Sequence, residues 1–366
     1  MKVSDCTLRD YLGSALVNAS SLDCLAIAGM LSELDIDELE IGDPFSYEQD
    51  VALLKSLRTH VPVATFYGPK QVSTLRADLE WVKSLGVDGI VISIPASDQF
   101  AKIKLPVVDW SYRFELVSRA LEISDEIGLY AVATGEDSPS AEITYLKEYL
   151  SIVHCAGAQK FRYAESISKS LPVDTYQRVK ELLEAVPDAQ IEMHCHDMFG
   201  LGLANGVAGV QAGATWISGT FLGAGERGGN INTIDALAVS KFLCGQSQRN
   251  LQNIGHISRK LADALGMSFL SSQRVIGEKC FAFEQPNPLF NQQVYLPFDP
   301  GEVGQSVSVV LTGKHPIETI QYVADKAGIS CDKNRLSEAD VRIRHLLMTS
   351  GTTIDQQTAA MIIRQL

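Results

Sequence analysis

The sequence predicts an α/β chain: a closed (β/α)8 barrel followed by an extended arm and a small C-terminal helical subdomain. Three observations predict it. Short β-branched runs alternate regularly with amphipathic stretches, the pattern of repeated βα units around a parallel sheet. The alternation yields eight candidate strands within about 265 residues, the expected size of a TIM barrel. Polar and ionisable residues collect at the ends of several runs, where a barrel of this kind carries its chemistry. A doubly wound sheet is the structural alternative, but it rarely needs eight units.

Taken in order, the strands are Val3 to Leu8, Glu38 to Gly42, Pro62 to Tyr67, Gly89 to Ile94, Leu129 to Thr134, Lys160 to Ala164, Ile191 to His196 and Thr215 to Phe221. Helical apolar spacing appears between them, at Leu22 to Leu34, Leu75 to Leu85, Tyr112 to Ile127, Ala141 to Ala156, Thr175 to Ala185 and Ala204 to Ala212. The domain boundaries follow: a barrel over 1–265, an arm over 266–316 and a helical subdomain over 317–366. Residues 281–300 hold four prolines and read as too proline-rich for regular helix. Beyond them, Ile317 to Ala327, Ser337 to Thr349 with Ser337 as N-cap, and Asp355 to Leu366 read as helices.

Composition narrows the function. The 366 residues are 46% hydrophobic and 20% charged, with no apolar run near the length of a membrane span. A net charge of −13 disfavours a broad nucleic-acid or anionic-membrane surface and leaves a small molecule as the expected partner. Seven scattered cysteines without a C-x-x-C pair predict reduced thiols in a cytoplasmic protein. The N-terminus lacks the apolar core of a signal peptide.

The loaded strand ends are Leu8-Arg9-Asp10, Gly135-Glu136-Asp137, Arg162 to Ser166 and Met193 to Asp197. His194 and His196 are the sharpest feature. A strand sends residues i and i+2 to one face, so both imidazoles can point at one ion. Asp10 can add a hard oxygen ligand, leaving coordination positions open for substrate. The competing reading makes one histidine a buried, hydrogen-bonded core residue; the Arg-Asp on another strand favours ligation. Gly223 to Asn230 contains G-x-G-x-x-G, but no βαβ unit follows it, so a dinucleotide site is disfavoured. A loop at the barrel mouth that brings Asn230 to the ion is the better reading, with an idle flexible loop as its alternative.

Together, Asp5 to Asp10, His194-x-His196-Asp197 with Gly200 to Asn205, and Gly223-x-Gly225-Glu226-Arg227-x-Gly229-Asn230 resemble the metal-dependent acyltransferase and lyase family. It includes homocitrate synthase, 2-isopropylmalate synthase and, more distantly, 3-hydroxy-3-methylglutaryl-CoA lyase. The resemblance extends over nearly the whole chain, and the Gly loop sides with the synthases because the lyases carry a cysteine there. It implies that Asp10, His194, His196 and Asn230 hold a divalent ion (Mg, Mn or Zn), and that Arg9 donates to the oxygen on which charge develops. It also implies that Glu136 and Tyr295 belong to the catalytic set, and that Ser166, with Arg162 and Ser140, binds substrate. The implied reaction is Claisen-type condensation of acetyl-CoA, or a related acyl-CoA, with a 2-oxo acid; separately, the arm leaving the barrel predicts a homodimer, in the cytoplasm that the reduced thiols indicate. A C–C lyase or 2-oxo acid aldolase on the same barrel, and a non-catalytic ligand-binding relative, are the alternatives.

Departures from the family pattern are specific. Tyr11-Leu12-Gly13 replaces Gly-Glu-Gln, Ser140 stands where an arginine is common, and Phe100 stands where a histidine is usual. The string F-x-H-E-x-G-I-H is replaced by Phe281 to Pro288, which lacks both histidines. Tyr295 then remains as the acid or base candidate of the arm. Lys314 and His315 read equally as site residues reaching over from the arm or as solvated loop.

Overall fold

A computed structural model describes residues 1–11 and 21–366. Its first unit, Met1–Arg249 with Lys260–Met267, contains the barrel. Eight parallel strands close in chain order: β1 (Lys2–Asp5), β2 (Glu38–Ile41), β3 (Val63–Tyr67), β4 (Gly89–Pro95), β5 (Tyr130–Glu136), β6 (Lys160–Glu165), β7 (Ile191–Cys195) and β8 (Trp216–Gly219). Pairing of Val3 with Ile217 and of Ser4 with Glu38 seals the ring. The chain therefore has the expected TIM-barrel fold. The helices are α1 (Ser21–Ser32), α2 (Glu48–Ser56), α3 (Leu75–Ser84), α4 (Asp98–Lys104), α5 (Trp110–Glu126), α6 (Ile143–Cys155), α7 (Pro172–Ala185), α8 (Gly202–Gln211), α9 (Thr233–Phe242) and α10 (Ile254–Ala264). The apolar stripes seen in the sequence supply their buried faces, as at Leu75, Leu79 and Val82 of α3.

The barrel interior departs from the usual stack of branched apolar side chains. Among the described residues its β3–β5 side is apolar, around Ala64, Val91 and Val132 with Phe66 and Tyr130 packed on them. Across from it stands a buried ladder of charge. Lys160 pairs with Glu38 at 2.9 Å and Glu192 at 2.8 Å, and Arg162 pairs with Glu192 at 2.5 Å and Glu40 at 2.6 Å. Glu40 in turn accepts from Arg9 Nε at 2.7 Å. Lys160 also lies 3.6 Å from the centroid of the Trp216 ring. Burial opposes ionisation of Glu40, but Arg162 and Arg9 outweigh it and hold its carboxyl below the ordinary range.

The second unit comprises Asn250–Arg259 and Ser268–Leu366. A three-stranded sheet in the order β11-β10-β9, with β9 (Ala282–Phe283), β10 (Ser308–Leu311) and β11 (Ile354–Asp355), packs with α13 (Ile317–Lys326), α14 (Lys333–Ser350) and α15 (Gln356–Arg364). Leu289, Val309 and Leu311 share one core with Ile320, Val323 and Ile343. Residues of the expected arm thus build the same core as the helices, because alternate residues of β10 are apolar and buried. Two single-turn helices, α11 (Pro286–Phe290) and α12 (Gln292–Tyr295), occupy the proline-rich stretch, with Pro286 at the start of α11, where its missing N–H is harmless. α14 begins earlier than Ser337: the Asp332 carboxylate accepts from Arg335 N–H at 2.8 Å and caps it. No helix among the described residues is long and apolar enough to cross a membrane. All seven cysteines are unpaired.

Candidate active site

The first strand ends sooner than its sequence suggests. The Asp5 carboxylate accepts from Thr7 N–H at 3.0 Å and Thr233 hydroxyl at 2.6 Å, and the chain turns into a π-helical segment, Thr7–Tyr11. Such wide turns recur at functional sites. This one puts Arg9 and Asp10 on the rim, Arg9 Nη1 donating to Asp10 Oδ1 at 2.5 Å and the guanidinium lying 5.3 Å from the Phe66 ring centroid. Burial disfavours the Asp10 carboxylate; Arg9 and then His194 outweigh it and hold Asp10 well below the usual range.

His194 is buried, with Nε2 3.3 Å from Asp10 Oδ2 and Nδ1 3.2 Å from Ser218 Oγ. His196 lies two residues on, its ring centroid 5.6 Å from that of His194 at an interplanar angle of 89°. Burial, opposed by Asp10, lowers the His194 pKa. Burial, then the neighbouring His194 and Arg227, bring His196 down to about 3. Both imidazoles are therefore neutral near pH 7 and keep the lone pair that ligation needs.

Asn230 arrives from the loop after β8. Residues 229–232 run between the ends of β7 and β8: Asp197 N–H donates to Gly229 O at 2.8 Å and Ile231 N–H to Cys195 O at 3.2 Å. The glycine spacing is explained by the chain crossing itself. Gly229 has φ +94°, and a Cβ there would lie 2.0 Å from Gly223 O. The glycines serve the loop's own pinch, and the pinch delivers Asn230 Nδ2 to 3.1 Å from Asp10 Oδ2 and 3.5 Å from His194 Nε2. Asn230 Oδ1 is buried with no hydrogen-bond partner among the described residues. An orphaned buried oxygen is costly, and a half-rotation of the amide would present it to a cation beside Asp10 and His194. One carboxylate, two neutral imidazoles and an amide oxygen form a donor set that fits a divalent ion. The Cys6 thiol is part of the same cluster: a sulfur, an Asp10 oxygen and a His194 nitrogen lie within 4.8 Å of one another. Burial pushes the Cys6 thiol well above its ordinary range, which disfavours the ligating thiolate.

The remaining expected residues fall as follows. Glu136, at the end of β5, accepts from Ser93 Oγ at 2.7 Å and from Lys104 Nζ at 2.6 Å. These three line a cleft of about 440 Å³ with Phe45, Phe66 and Tyr67. Ser166 Oγ accepts from Asp137 N–H at 3.0 Å, which leaves its own hydrogen for another acceptor. Ser140 donates to Asp137 at 2.9 Å. Arg162 does not stand at the rim; it is fully buried, two residues earlier on β6 than Ala164, the partner of His194. It is engaged by Glu40 and Glu192 and touches the site through the Glu40 it shares with Arg9. Tyr295 is an exposed residue of α12 in the second unit. Within that unit His315 is buried, 2.9 Å from Asp340 and 3.6 Å from Glu284, a placement that does not fit a solvated loop. Leu12 and Gly13 lie outside the described residues. Sequence reading missed Ser218 and Glu40. Glu40 carried a signal, since Glu38 and Glu40 sit at the i, i+2 spacing of one strand face; Ser218 carried none.

An HMGL-like family model matches residues 1–261. The chain belongs to the HMGL-like family. Among its relatives, 2-isopropylmalate synthase 2 of Caldanaerobacter subterraneus subsp. tengcongensis is 31% identical over 321 residues, covering 86% of this chain and 82% of that one. Homocitrate synthase AksA of Methanopyrus kandleri is 28% identical over 94% of this chain and 87% of its own. The solved structure of HMG-CoA lyase from Bacillus subtilis has a TM-score of 0.65 at 19% identity, over 73% of this HMGL-like chain and 94% of that chain, a likeness of fold.

Proposed function

We propose that this HMGL-like protein is a divalent-metal-dependent synthase that condenses acetyl-CoA, or a related acyl-CoA, with a 2-oxo acid. The observation that carries the reading is the meeting of Arg9, Asp10, His194 and Asn230 within hydrogen-bonding distance on the carboxyl rim. Its relatives named homocitrate and 2-isopropylmalate synthase support the reaction class. A divalent ion (Mg, Mn or Zn) held by Asp10, His194, His196 and Asn230 supplies Lewis acidity toward the carboxylate and ketone oxygens of a 2-oxo acid.

The chain's own groups do the rest. Ser166 donates its hydroxyl hydrogen to the substrate carboxylate, with Ser140 nearby holding Asp137. Arg9, fixed by Glu40 and by Asp10, stabilises the oxygen that becomes an alkoxide as the methyl carbon of the acyl-CoA attacks the ketone carbon. Glu136 takes the methyl proton and returns one to the alkoxide. Hydrolysis of the thioester then releases CoA and drives the reaction. The aromatic cleft beside Glu136 receives the side chain of the acceptor. Seven unpaired thiols fit a reducing cytoplasm, and a homodimer is the proposed working state.

The test is release of free thiol from acetyl-CoA by protein supplied with divalent metal, across a panel of 2-oxo acids. Thiol release with at least one acceptor is expected. Silence with acetyl-, propionyl- and malonyl-CoA, together with pyruvate release from hydroxy-oxo acids, would replace the synthase by an aldolase. Asp10→Asn is expected to lose bound metal by elemental analysis, and unchanged stoichiometry would remove Asp10 from the ligand set.

A further inference from the structure

The loop that delivers Asn230 also grips His196. Its Nδ1 lies 3.3 Å from Glu226 O, and its Nε2 lies 2.8 Å from Arg227 Nη2. A carbonyl only accepts and a guanidinium only donates, so these partners set the tautomer: hydrogen on Nδ1, lone pair on Nε2. A neutral imidazole has one in-plane lone pair, and Arg227 takes it. The same lone pair is the one a ligating His196 would offer to an ion. Asn230 is oriented alike, its NH2 toward Asp10 and His194 and its Oδ1 orphaned. The cluster of ligand atoms within 4.8 Å of one another accordingly contains Cys6, Asp10 and His194, without His196.

Arg227 is built to let go. Its side chain is 46% exposed, and its other contact is an equally exposed pair with Glu226 at 3.1 Å. Its backbone is left-handed at φ +54°, followed by Gly228 at +86° and Gly229 at +94°. The guanidinium can therefore swing into solvent without moving β7 or the barrel wall.

We propose that Arg227 is a positioning residue that holds His196 through Nε2 and exchanges there with the divalent ion, so that ion binding and the Arg227–His196 contact exclude one another. This rests on the metal-site reading given above. Two consequences are measurable: Arg227 lowers the affinity of the site for the ion, and occupancy of the site changes the state of the 223–230 loop.

The experiment uses the full chain stripped of metal and titrated with Zn2+, followed by calorimetry and by NMR of 15N-labelled arginine side chains. The Arg227 guanidinium signal is expected to move from a bonded to a solvent-exposed position at the calorimetric midpoint. Arg227→Met is expected to bind Zn2+ about tenfold tighter, the value of one charge-assisted hydrogen bond. That ratio should persist from about 0.05 M to about 0.5 M salt, whereas long-range repulsion would be screened away. An Arg227 signal unmoved at saturation, a Met variant that binds no tighter, or a ratio that collapses in high salt each overturns the exchange. If the wild type and Asp10→Asn both fail to bind Zn2+, the metal site itself falls, a failure distinct from the others.

Discussion

At the scale of single residues, the site is organised by which group owns which hydrogen. Asp10 is held anionic by Arg9, whereas His194 and His196 are held neutral by burial. The histidines couple the site to stability. His196 protonates near 3 in the folded chain against an ordinary value of 6.5. The unfolded chain therefore takes up its proton first as pH falls. The contribution is fully present above pH 6.5 and is lost progressively toward pH 3. Between pH 7 and 5 the loss is about 2 kcal/mol for one such histidine. Urea unfolding in EDTA across this range should show that slope, and His196→Gln should flatten it; parallel slopes would show that His196 is not buried neutral. His194 and His196 were legible in the sequence because one strand face repeats every second residue. Ser218, which fixes the His194 ring, was not, because a serine in mid-strand carries no signal until the barrel closes against it.

At the scale of elements, the strands carry more charge than a barrel core needs. Glu38-x-Glu40, Lys160-x-Arg162 and Glu192-x-His194-x-His196 place like residues at i, i+2, on the faces that point inward. The spacing was readable, but pairing across strands was not, since it depends on register: Arg162 stands opposite Glu192 because Phe161 pairs with Ile191. Removing one member of such a buried network leaves an uncompensated charge. Glu192→Gln, which leaves Lys160 with Glu38 and Arg162 with Glu40 but the ladder one negative charge short, is expected to cost about 3–5 kcal/mol in urea unfolding. A cost under about 1 kcal/mol, typical of exposed pairs, would show that the ladder is hydrated. Helix starts were less legible than helix bodies. Ser337 and Asp332 are both acceptable caps, and the choice between them falls to Asp332 because its carboxylate reaches Arg335 N–H.

At the scale of the whole molecule, the two units have separate cores. Ile343 is fully buried among Leu311, Ile320 and Val323 in the second unit, and Ile343→Ala is expected to destabilise that unit by about 2–5 kcal/mol. Trp81, Trp110 and Trp216 all belong to the first unit, so fluorescence reports the barrel while far-UV ellipticity reports both. The variant should shift the ellipticity transition and leave the fluorescence midpoint in place. Coincident shifts would show that the units unfold as one. Residues of the expected arm show the same dependence: Leu289, Val309 and Leu311 had no visible partner in the sequence and share their core with the helices from Ile317 onward.

The sequence by itself determined the barrel and its eight strands, because the period of two along a strand and the alternation of strand and helix are local properties. Tertiary structure alone decided which charges neutralise one another and which nitrogen of His196 faces Arg227. It also decided that Arg162 stands fully buried between Glu40 and Glu192. Those outcomes depend on register and ring closure, which bring together residues as distant as Asp10 and Asn230, and no local pattern encodes a distance between strands that are not neighbours in the chain.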